Sequence, residues 1–269
     1  MVQESPAQVF DDGAYMIAVR ANSPLGWRVY GLGIMAMAAV WLAWGKFDPS
    51  QGVPESFPGH TILAYAVAAF TLLAGAALEW RRTSAYAAGA LTIYYTLVVV
   101  ILTDGPGLID NYAEYGSYSG IAAQVAIAAG ALIVYAAHAT ISAALAARLT
   151  RVGQLTFGVC ALLFGGAHFY YLNLTVPLIP KWLPPSRDFW AYATGIAHIA
   201  AGLAILTGVQ ARRAGILLTI MYALFTPLVH VPALLADPFS YWNWSENSLN
   251  LALVGVAWVV ADSLARPVP

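Results

Sequence analysis

Six polar side chains stand inside or beside apolar stretches in the C-terminal half of the chain. They are His168, His198 and His230, each in a different apolar stretch, and Glu246, Asn247 and Asn250 near the start of the last one. The last three share one helix face, because residues three and four apart are neighbours on a helix. Ionisable groups in hydrocarbon are costly, so they indicate a functional site. We take all six as candidate ligand-binding residues.

These residue types are compatible with three kinds of chemistry. In the first, each histidine makes only a hydrogen bond between helices, which contributes about 0.6 to 2 kcal/mol. Alternatively, they would line a polar pocket for a small molecule such as a quinone and relay protons. The third possibility is a metal or haem site, with His168, His198, His230 and Glu246 as ligands, because neutral imidazole is a common metal ligand. No single residue is predicted to be catalytic.

The composition predicts the elements that must position these residues. Only 9% of the residues are charged and 60% are hydrophobic, which is typical of an integral membrane protein and not of a soluble one. An α-helix needs roughly 20 apolar residues to cross the bilayer. Eight such runs predict an all-α polytopic membrane protein, with spans near 26–46, 60–80, 84–103, 118–142, 154–176, 189–209, 214–235 and 247–265.

The basic residues predict the orientation of the spans. Nine of the twelve fall on alternate connections that include the N-terminal side: Arg20, Arg28, Arg81, Arg82, Arg148, Arg151, Arg212, Arg213 and Arg266. The other side keeps Lys46, Lys181 and Arg187 and carries the acids Asp48, Glu55, Asp104, Asp110, Glu114, Asp188, Asp237 and Glu246. Residues 1–23 lack a signal-peptide pattern. We therefore expect a cytosolic tail at 1–23, both termini in the cytosol, and a bacterial or archaeal cell membrane.

Similar stretches recur along the chain and predict an internal duplication. "AYAVAAFTLLAG" from Ala64 aligns with "AYATGIAHIAAG" from Ala191, and "IYYTL" aligns with "IMYAL" at the same offset. Gly33 and Gly130 align with Gly158 and Gly255 at a slightly shorter offset. Two four-helix units in parallel repeat follow, at 24–145 and 152–265, joined at about 146–151.

The repeat also permits an internal comparison. His168, His198 and His230 align with Ala43, Thr71 and Thr103, so the second unit carries histidines that the first one lacks. At 1.5 Å per residue the three histidines lie roughly 8 to 15 Å below the outer helix ends, in one layer. Small residues lie on the same helix faces as His168 and His198, at Gly165 and Gly195 among others. Small residues let membrane helices approach closely, so these faces should contact a neighbouring helix. Pro227 is expected to bend the helix that carries His230.

A proline-rich connection separates the fifth and sixth spans. Its interface hook comprises Pro180, Lys181, Trp182, Pro184 and Pro185. Proline cannot continue a helix, whereas lysine and tryptophan suit the headgroup layer. We expect a stiff turn that anchors both spans and covers the polar layer beneath, with Asp188 as the cap of the next helix.

The hook and its surroundings carry a family resemblance. "PKWLPP" from Pro180 to Pro185, the following Phe189-Trp190, Tyr192, Thr194-Gly195-Ile196 and Ala201-Gly202, and "SLNLALVGVAWVVAD" from Ser248 to Asp262 resemble the DoxX and DoxX-like membrane family. The resemblance covers about 152–265. It implies a four-helix unit and, as in family members similar to thiosulfate:quinone oxidoreductase subunits, a membrane redox complex.

The leading functional prediction is a quinone-linked electron-transfer or oxidoreductase membrane component with an outward-facing histidine site. A protein that binds or transports a small amphiphile, and a non-catalytic structural subunit, are the alternatives. The cofactor would be a quinone, a haem or a metal. The expected partners are the lipid bilayer and a redox partner subunit, with no nucleic acid; the sequence leaves the oligomeric state open.

Overall fold

The computed structural model of the protein describes residues 25–265. The tail predicted at 1–23, together with Arg20 and Arg266, lies outside the described residues. Within 25–265 the regular elements are helices, and no strand occurs in this part of the chain. The all-α prediction is therefore confirmed.

Eight long helices form the structure. They are α1 (Gly26–Trp44), α2 (His60–Leu78), α3 (Ser84–Asp110), α4 (Tyr115–His138), α5 (Ala143–Tyr170), α6 (Arg187–Thr207), α7 (Ala211–Ala236) and α8 (Tyr241–Ser263). The first seven are long and apolar enough to cross a membrane, which agrees with an integral membrane location. The eighth has 23 residues, but its N-terminal half is polar and it is not among these seven.

The turn between α4 and α5 lies upstream of the junction predicted at 146–151. The chain leaves the helical conformation at 139–142, and α5 runs without a break from Ala143 through the predicted junction. The side chain of Ser142 accepts a hydrogen bond from the amide of Leu145 at 3.3 Å and so caps the first turn. The sequence that follows, rich in alanine, leucine and arginine, favours helix, which explains why the arginines do not mark a loop.

Each half of the chain completes its packing with a helix from the other half. α1 packs against α2 and α8, and α5 packs against α6 and α4. The last helices of the two halves, α4 and α8, touch each other. The first helix of either half therefore contacts the last helix of the opposite half.

Glycines bring α1 and α8 into backbone contact. A Cβ built on Gly33 would lie 2.4 Å from the Cα of Ala252, and one built on Gly255 would lie 2.3 Å from the Cα of Tyr30. Neither position has room for a side chain. The amide of Gly26, at the start of α1, also donates a hydrogen bond to the Asp262 carboxylate near the end of α8 at 3.2 Å.

In each half, the first two helices cross where a glycine of one lies against a glycine of the other. A Cβ on Gly31 would lie 3.2 Å from the carbonyl oxygen of Gly75, and a Cβ on Gly158 would lie 3.3 Å from that of Gly202. In this register Gly158 corresponds to Gly31, and not to Gly33 as the sequence alignment had it. His168 then corresponds to the buried Trp41.

The third helix of each half contains a π-helical segment. It spans Tyr94–Asp104 in α3 and Thr226–His230 in α7. π-Helical turns are wider than α-helical ones and often lie at functional sites. At Pro227 the sequence predicted a bend, and the structure has this wider turn.

Candidate functional site

Two histidines from neighbouring helices lie side by side in the second half. His168 of α5 and His198 of α6 have ring centroids 4.9 Å apart, with their planes inclined by 40°. Each follows a glycine by three residues, in "GGAH" from Gly165 and "GIAH" from Gly195. The same short pattern thus supplies both members of the pair.

Glycine on one helix makes room for the histidine on the other. A Cβ built on Gly165 would lie 3.1 Å from the Cβ of His198, and one built on Gly195 would lie 3.0 Å from the Cβ of His168. The arrangement is reciprocal, and both small-residue faces contact a neighbouring helix, as the sequence predicted. Close approach at glycine is therefore what brings the two imidazoles together.

Contacts with backbone carbonyls determine the tautomer of both neutral rings. The Nδ1 of His168 lies 2.9 Å from the carbonyl oxygen of Phe164, and that of His198 lies 2.8 Å from the carbonyl oxygen of Thr194. A carbonyl oxygen can only accept, so each neutral ring donates through Nδ1–H. The remaining ring nitrogen, Nε2, is then a hydrogen-bond acceptor on both histidines.

Aromatic side chains enclose His198. It is 2% exposed, and its ring centroid lies 5.4 Å from that of Tyr222 and 6.4 Å from that of Phe225, both on α7. The hydroxyl of Tyr222 is buried and has no hydrogen-bond partner in the described part of the chain. The pair therefore lies in an apolar setting with a phenol close to it.

The hook forms one wall of a cleft beside the π-helical segment of α7. The cleft has a volume of about 290 Å³ and is lined by residues 177–182 and by Pro227, Leu228 and Pro232. Its lining is apolar except for Lys181. This volume is close to the lower end of the range for small-molecule pockets.

Hydrogen bonds to backbone carbonyls hold the hook in place. Trp190 donates from its indole nitrogen to the carbonyl of Pro184 at 2.8 Å, and Arg187 donates from Nε to the carbonyl of Val176 at 2.9 Å. The cap of α6 is Ser186, whose hydroxyl accepts from the amide of Phe189 at 3.1 Å. The predicted cap Asp188 lies in the first turn instead, where its charge suits the positive end of the helix.

The third histidine does not join the pair. His230 is half-buried at the end of the π-helical segment of α7, and it makes no hydrogen bond or ring contact with the side chains described for the other helices. It lies between Leu228 and Pro232, which line the cleft. Of the three predicted rings, the structure thus brings two together.

The polar residues of α8 have separate positions. Asn250 donates from Nδ2 to the carbonyl of Tyr222 and to the hydroxyl of Thr226, each at 3.0 Å, so it joins α8 to α7. Asn247 is half-buried and has no hydrogen bond to another described residue. Glu246 lies within electrostatic reach of Asp48 in the first half. Of these three residues, Asn250 lies against α7 and Glu246 faces Asp48, so the polar residues of α8 do not form one group with the histidine pair.

The metal-ligand set proposed from sequence is not assembled. Among residues 25–265, no three histidine, cysteine, aspartate or glutamate side chains are grouped so that they could hold a metal ion. His168 and His198 offer two nitrogens, but Glu246 lies towards the other half. The structure thus favours a hydrogen-bonding site over the four-ligand metal site.

Sequence reasoning missed a second set of buried polar residues. Asp48 and Asp104 were placed among the acids of the outer loops, but they are 3% and 6% exposed. One local signal was present: in "DPS" the side chain of Asp48 accepts from the amide of Ser50 at 2.9 Å, a turn that aspartate before proline and serine favours. That signal predicts a turn, and it does not predict burial.

Comparison with known proteins adds one match. A family described as a domain of unknown function, DUF8561, matches residues 157–261. The matched span begins in α5 and ends in α8, so it contains the histidine pair and the hook. Among curated proteins and solved structures, none matches the chain. Over residues 25–265 the fold defines the class as an all-helical protein, with seven helices in this part of the chain long and apolar enough for a membrane.

Proposed function

We propose that the protein binds a quinone-type amphiphile between the hook and the histidine pair, as the membrane component of an oxidoreductase. The observation that carries this proposal is the pairing of two neutral imidazoles, each with Nε2 as an acceptor, in the same helix bundle as the hook cleft. The alternative is a protein that binds or transports a small amphiphile without redox chemistry. The proposed chemistry needs a partner subunit to take the electrons.

The residues of the site have distinct proposed roles. The cleft accommodates an apolar ring, and Lys181 at its rim faces polar headgroups. The Nε2 atoms of His168 and His198 accept hydrogen bonds from the hydroxyl groups of a quinol, and they take up the protons that leave when it is oxidised. Tyr222, with its unpartnered hydroxyl, is a further hydrogen-bonding group beside His198.

The proposal includes eight spans, with α8 as the last. Its 23 residues measure roughly 35 Å along the axis, enough for the hydrocarbon layer. α8 packs against α1, α4 and α7, so protein and not lipid surrounds much of it. Buried Ser245, Ser248 and Asn250 lower its hydropathy without contacting lipid. Eight spans put both termini on one side, which the basic residues predict to be the cytosol.

The proposal also includes tandem four-helix units of DoxX-like type. The glycine crossings Gly31–Gly75 and Gly158–Gly202 support a duplication, because both members are shifted by the same number of residues. The π-helical segments in the third helix of each half support it independently. The hook and the last span carry the resemblance to DoxX-like proteins.

Binding of decylubiquinol, kept reduced under argon, to the purified protein in nanodiscs tests the function, because its hydroxyl groups can donate to the Nε2 atoms. Loss of one hydrogen bond costs about 1 to 1.5 kcal/mol, so we expect roughly tenfold weaker binding for His168→Leu and for His198→Leu. Thr71→Val is the matched control, because Thr71 aligns with His198 in the other half and is equally buried. Tryptophan fluorescence quenching gives the Kd.

Two results would count against this proposal. Unchanged affinity in both histidine variants, combined with higher thermal stability, would mean that the pair does not bind the ligand, and the proposal would fail. Equal affinity for decanol and decylubiquinol, with the same loss in both variants, would favour the binding or transport protein that carries no redox chemistry.

A further inference from the structure

The connection between α1 and α2 folds into the bundle and forms a polar cluster with α3 and α4. This acid cluster comprises Asp48 and Gln51 from the connection, Asp104 from the end of the π-helical segment of α3, and Gln124 from α4. None of the four side chains is more than 6% exposed. Burial of two carboxyl groups this deeply requires compensation.

The carboxylate of Asp48 is surrounded by hydrogen-bond donors. Its Oδ1 accepts from the amide and hydroxyl of Ser50, and the Nε2 of Gln124 lies 3.5 Å away. The same Nε2 also donates to the Ser50 hydroxyl, which fixes the orientation of the Gln124 amide. The indole of Trp41 is close to Asp48, and its buried Nε1 has no hydrogen-bond partner in the described part of the chain. These contacts suit an ionised Asp48.

The carboxylate of Asp104 also accepts hydrogen bonds, one of them from the backbone of the connection between α1 and α2. Its Oδ1 accepts from the amide of Gly52 at 3.0 Å and from the hydroxyl of Thr103 at 3.2 Å. Asp48 acts electrostatically on Asp104 and also on Glu246 of α8. Asp48 and Asp104 therefore lie in one region, and Glu246 is within electrostatic reach of Asp48.

Several oxygen atoms in the cluster lack partners. The Oδ2 atoms of Asp48 and Asp104 and the Oε1 of Gln124 are buried and have no hydrogen-bond partner in the described part of the chain. Gln124 is fully buried, and its amide nitrogen is fixed on Asp48 and Ser50, so its oxygen belongs to the same region. The Nε2 of Gln51 is a buried donor without a partner. Ordered water is needed beside these atoms.

The contacts of the two carboxylates are those of hydrogen-bond acceptors. Each hydrogen bond that reaches either carboxylate comes from an N–H or O–H group. The ammonium of Lys46 lies over the Tyr241 ring, 5.8 Å from its centroid. Burial raises the pKa of Asp48, and the hydrogen bonds from Ser50 and Gln124 oppose this rise. The arrangement lacks a positive charge.

We propose that the acid cluster binds a hydrated divalent cation of the hard, oxygen-preferring kind, with Ca²⁺ as the probe. The Oδ2 atoms of Asp48 and Asp104 and the Oε1 of Gln124 are the protein oxygens available to it, directly or through water. Carboxylate and amide oxygens are the ligands that such cations take, and water completes their coordination. Two carboxylates balance the charge of one divalent ion. The Gln51 amide then donates to a bound water.

The test is terbium luminescence in chelator-treated protein in phosphatidylcholine nanodiscs. Tb³⁺ replaces Ca²⁺ at oxygen sites, and two buried aromatic side chains close to Asp48, those of Trp41 and Tyr95, sensitise its emission. We expect saturable emission that Ca²⁺ displaces, with at least tenfold weaker binding in Asp48→Asn and Asp104→Asn. Glu55→Gln is the matched control, because Glu55 is an exposed acid in the same connection.

Thermal unfolding with Ca²⁺ and with chelator separates the proposal from its rivals. We expect Ca²⁺ to raise the Tm of the wild type and of Glu55→Gln, and to leave that of Asp48→Asn unchanged, because a ligand stabilises only the state that binds it. Equal binding in all variants would overturn the proposal, since the site would then lie elsewhere. Absence of any cation effect, with Asp48→Asn more stable in every buffer, would also overturn it and would favour protonation.

Discussion

At the scale of single residues, the histidine pair depends on two glycines. Gly165 and Gly195 allow α5 and α6 to approach until each histidine lies against the glycine of the other helix. The carbonyls one turn earlier orient both rings through Nδ1. The chemistry available to Nε2 therefore depends on backbone spacing as much as on the imidazoles themselves.

A methyl group at Gly165 should disturb the pair. The added Cβ would lie 2.6 Å from Cγ1 of Ile199 and 2.8 Å from the carbonyl oxygen of Gly195, so the helices must move apart. We expect Gly165→Ala to reduce the free energy of unfolding by about 1 to 3 kcal/mol, measured by denaturant titration with circular dichroism.

The control for this variant is Gly120→Ala in α4, where an added Cβ would find nothing within 4 Å. Alanine is the better helix former, so this change should leave stability unchanged or raise it by about 0.5 to 1 kcal/mol. Similar losses in both variants would mean that glycine flexibility, and not helix proximity, is what matters at Gly165.

The sequence could predict one buried site and not the other. The spacing of Gly165 and His168, repeated at Gly195 and His198, indicates helix faces that meet, because such faces are a local property of the chain. Burial of Asp48 and Asp104 depends on how a connection folds into the bundle, and alternation of apolar and charged stretches only predicts that acids lie in loops. His230 was predicted from depth alone, and depth does not determine which way a ring points.

At the scale of elements, Asn250 joins α8 to α7 just before the π-helical segment. Tyr222 lies in the α-helical part of α7, which ends at Phe225, and the π-helical segment begins at Thr226. The Nδ2 of Asn250 donates to the carbonyl of Tyr222 and to the hydroxyl of Thr226. Both bonds connect two helices, so Asn250 contributes to helix packing.

Removal of this side chain should weaken the α7–α8 contact. We expect Asn250→Ala to lower the free energy of unfolding by about 1 kcal/mol, within the range for hydrogen bonds between membrane helices. Asn247→Ala, in the same helix and without a hydrogen bond to another described residue, should have a smaller effect. If the two variants unfold alike in sodium dodecyl sulfate titration, the assignment of Asn250 is wrong.

Helix positions were predicted more accurately than helix ends. The apolar runs give the positions of α1 to α7, because hydrocarbon-length helices are fixed by composition. The end of α4 and the start of α5 differ from the prediction, since arginines that mark a boundary in sequence lie within a helix capped by Ser142. The π-helical segment of α3 has no proline in it and no signal that we recognised.

At the scale of the whole molecule, the first helix of each half packs against the last helix of the other half. α1 packs on α8 and α5 packs on α4, whereas α4 and α8 touch at the interface of the halves. The backbone approaches at Gly33 and Gly255 make the first of these contacts especially close. Neither half contains all the surfaces that cover its own helices.

Expression of the halves as separate chains tests whether each half needs the other for its packing. A cut within 139–142 separates α4 from α5, and we expect the two fragments to co-purify when expressed together and to be degraded or aggregate when expressed alone. Gly255→Leu in the second fragment should abolish co-purification because the side chain meets the backbone of α1 at Tyr30. Gly120→Leu in the first fragment is the control. A stable, monomeric second fragment would mean that this half does not need the other.

The contact between α1 and α8 also has a consequence for biosynthesis. The ribosome completes α1 before α8, so the face of α1 at Gly33 has no partner until α8 has been made. The carboxylate of Asp262, which accepts from the first amide of α1, is made together with α8. A truncated chain would therefore leave α1 uncovered in the bilayer, where membrane proteases and insertion chaperones can recognise it.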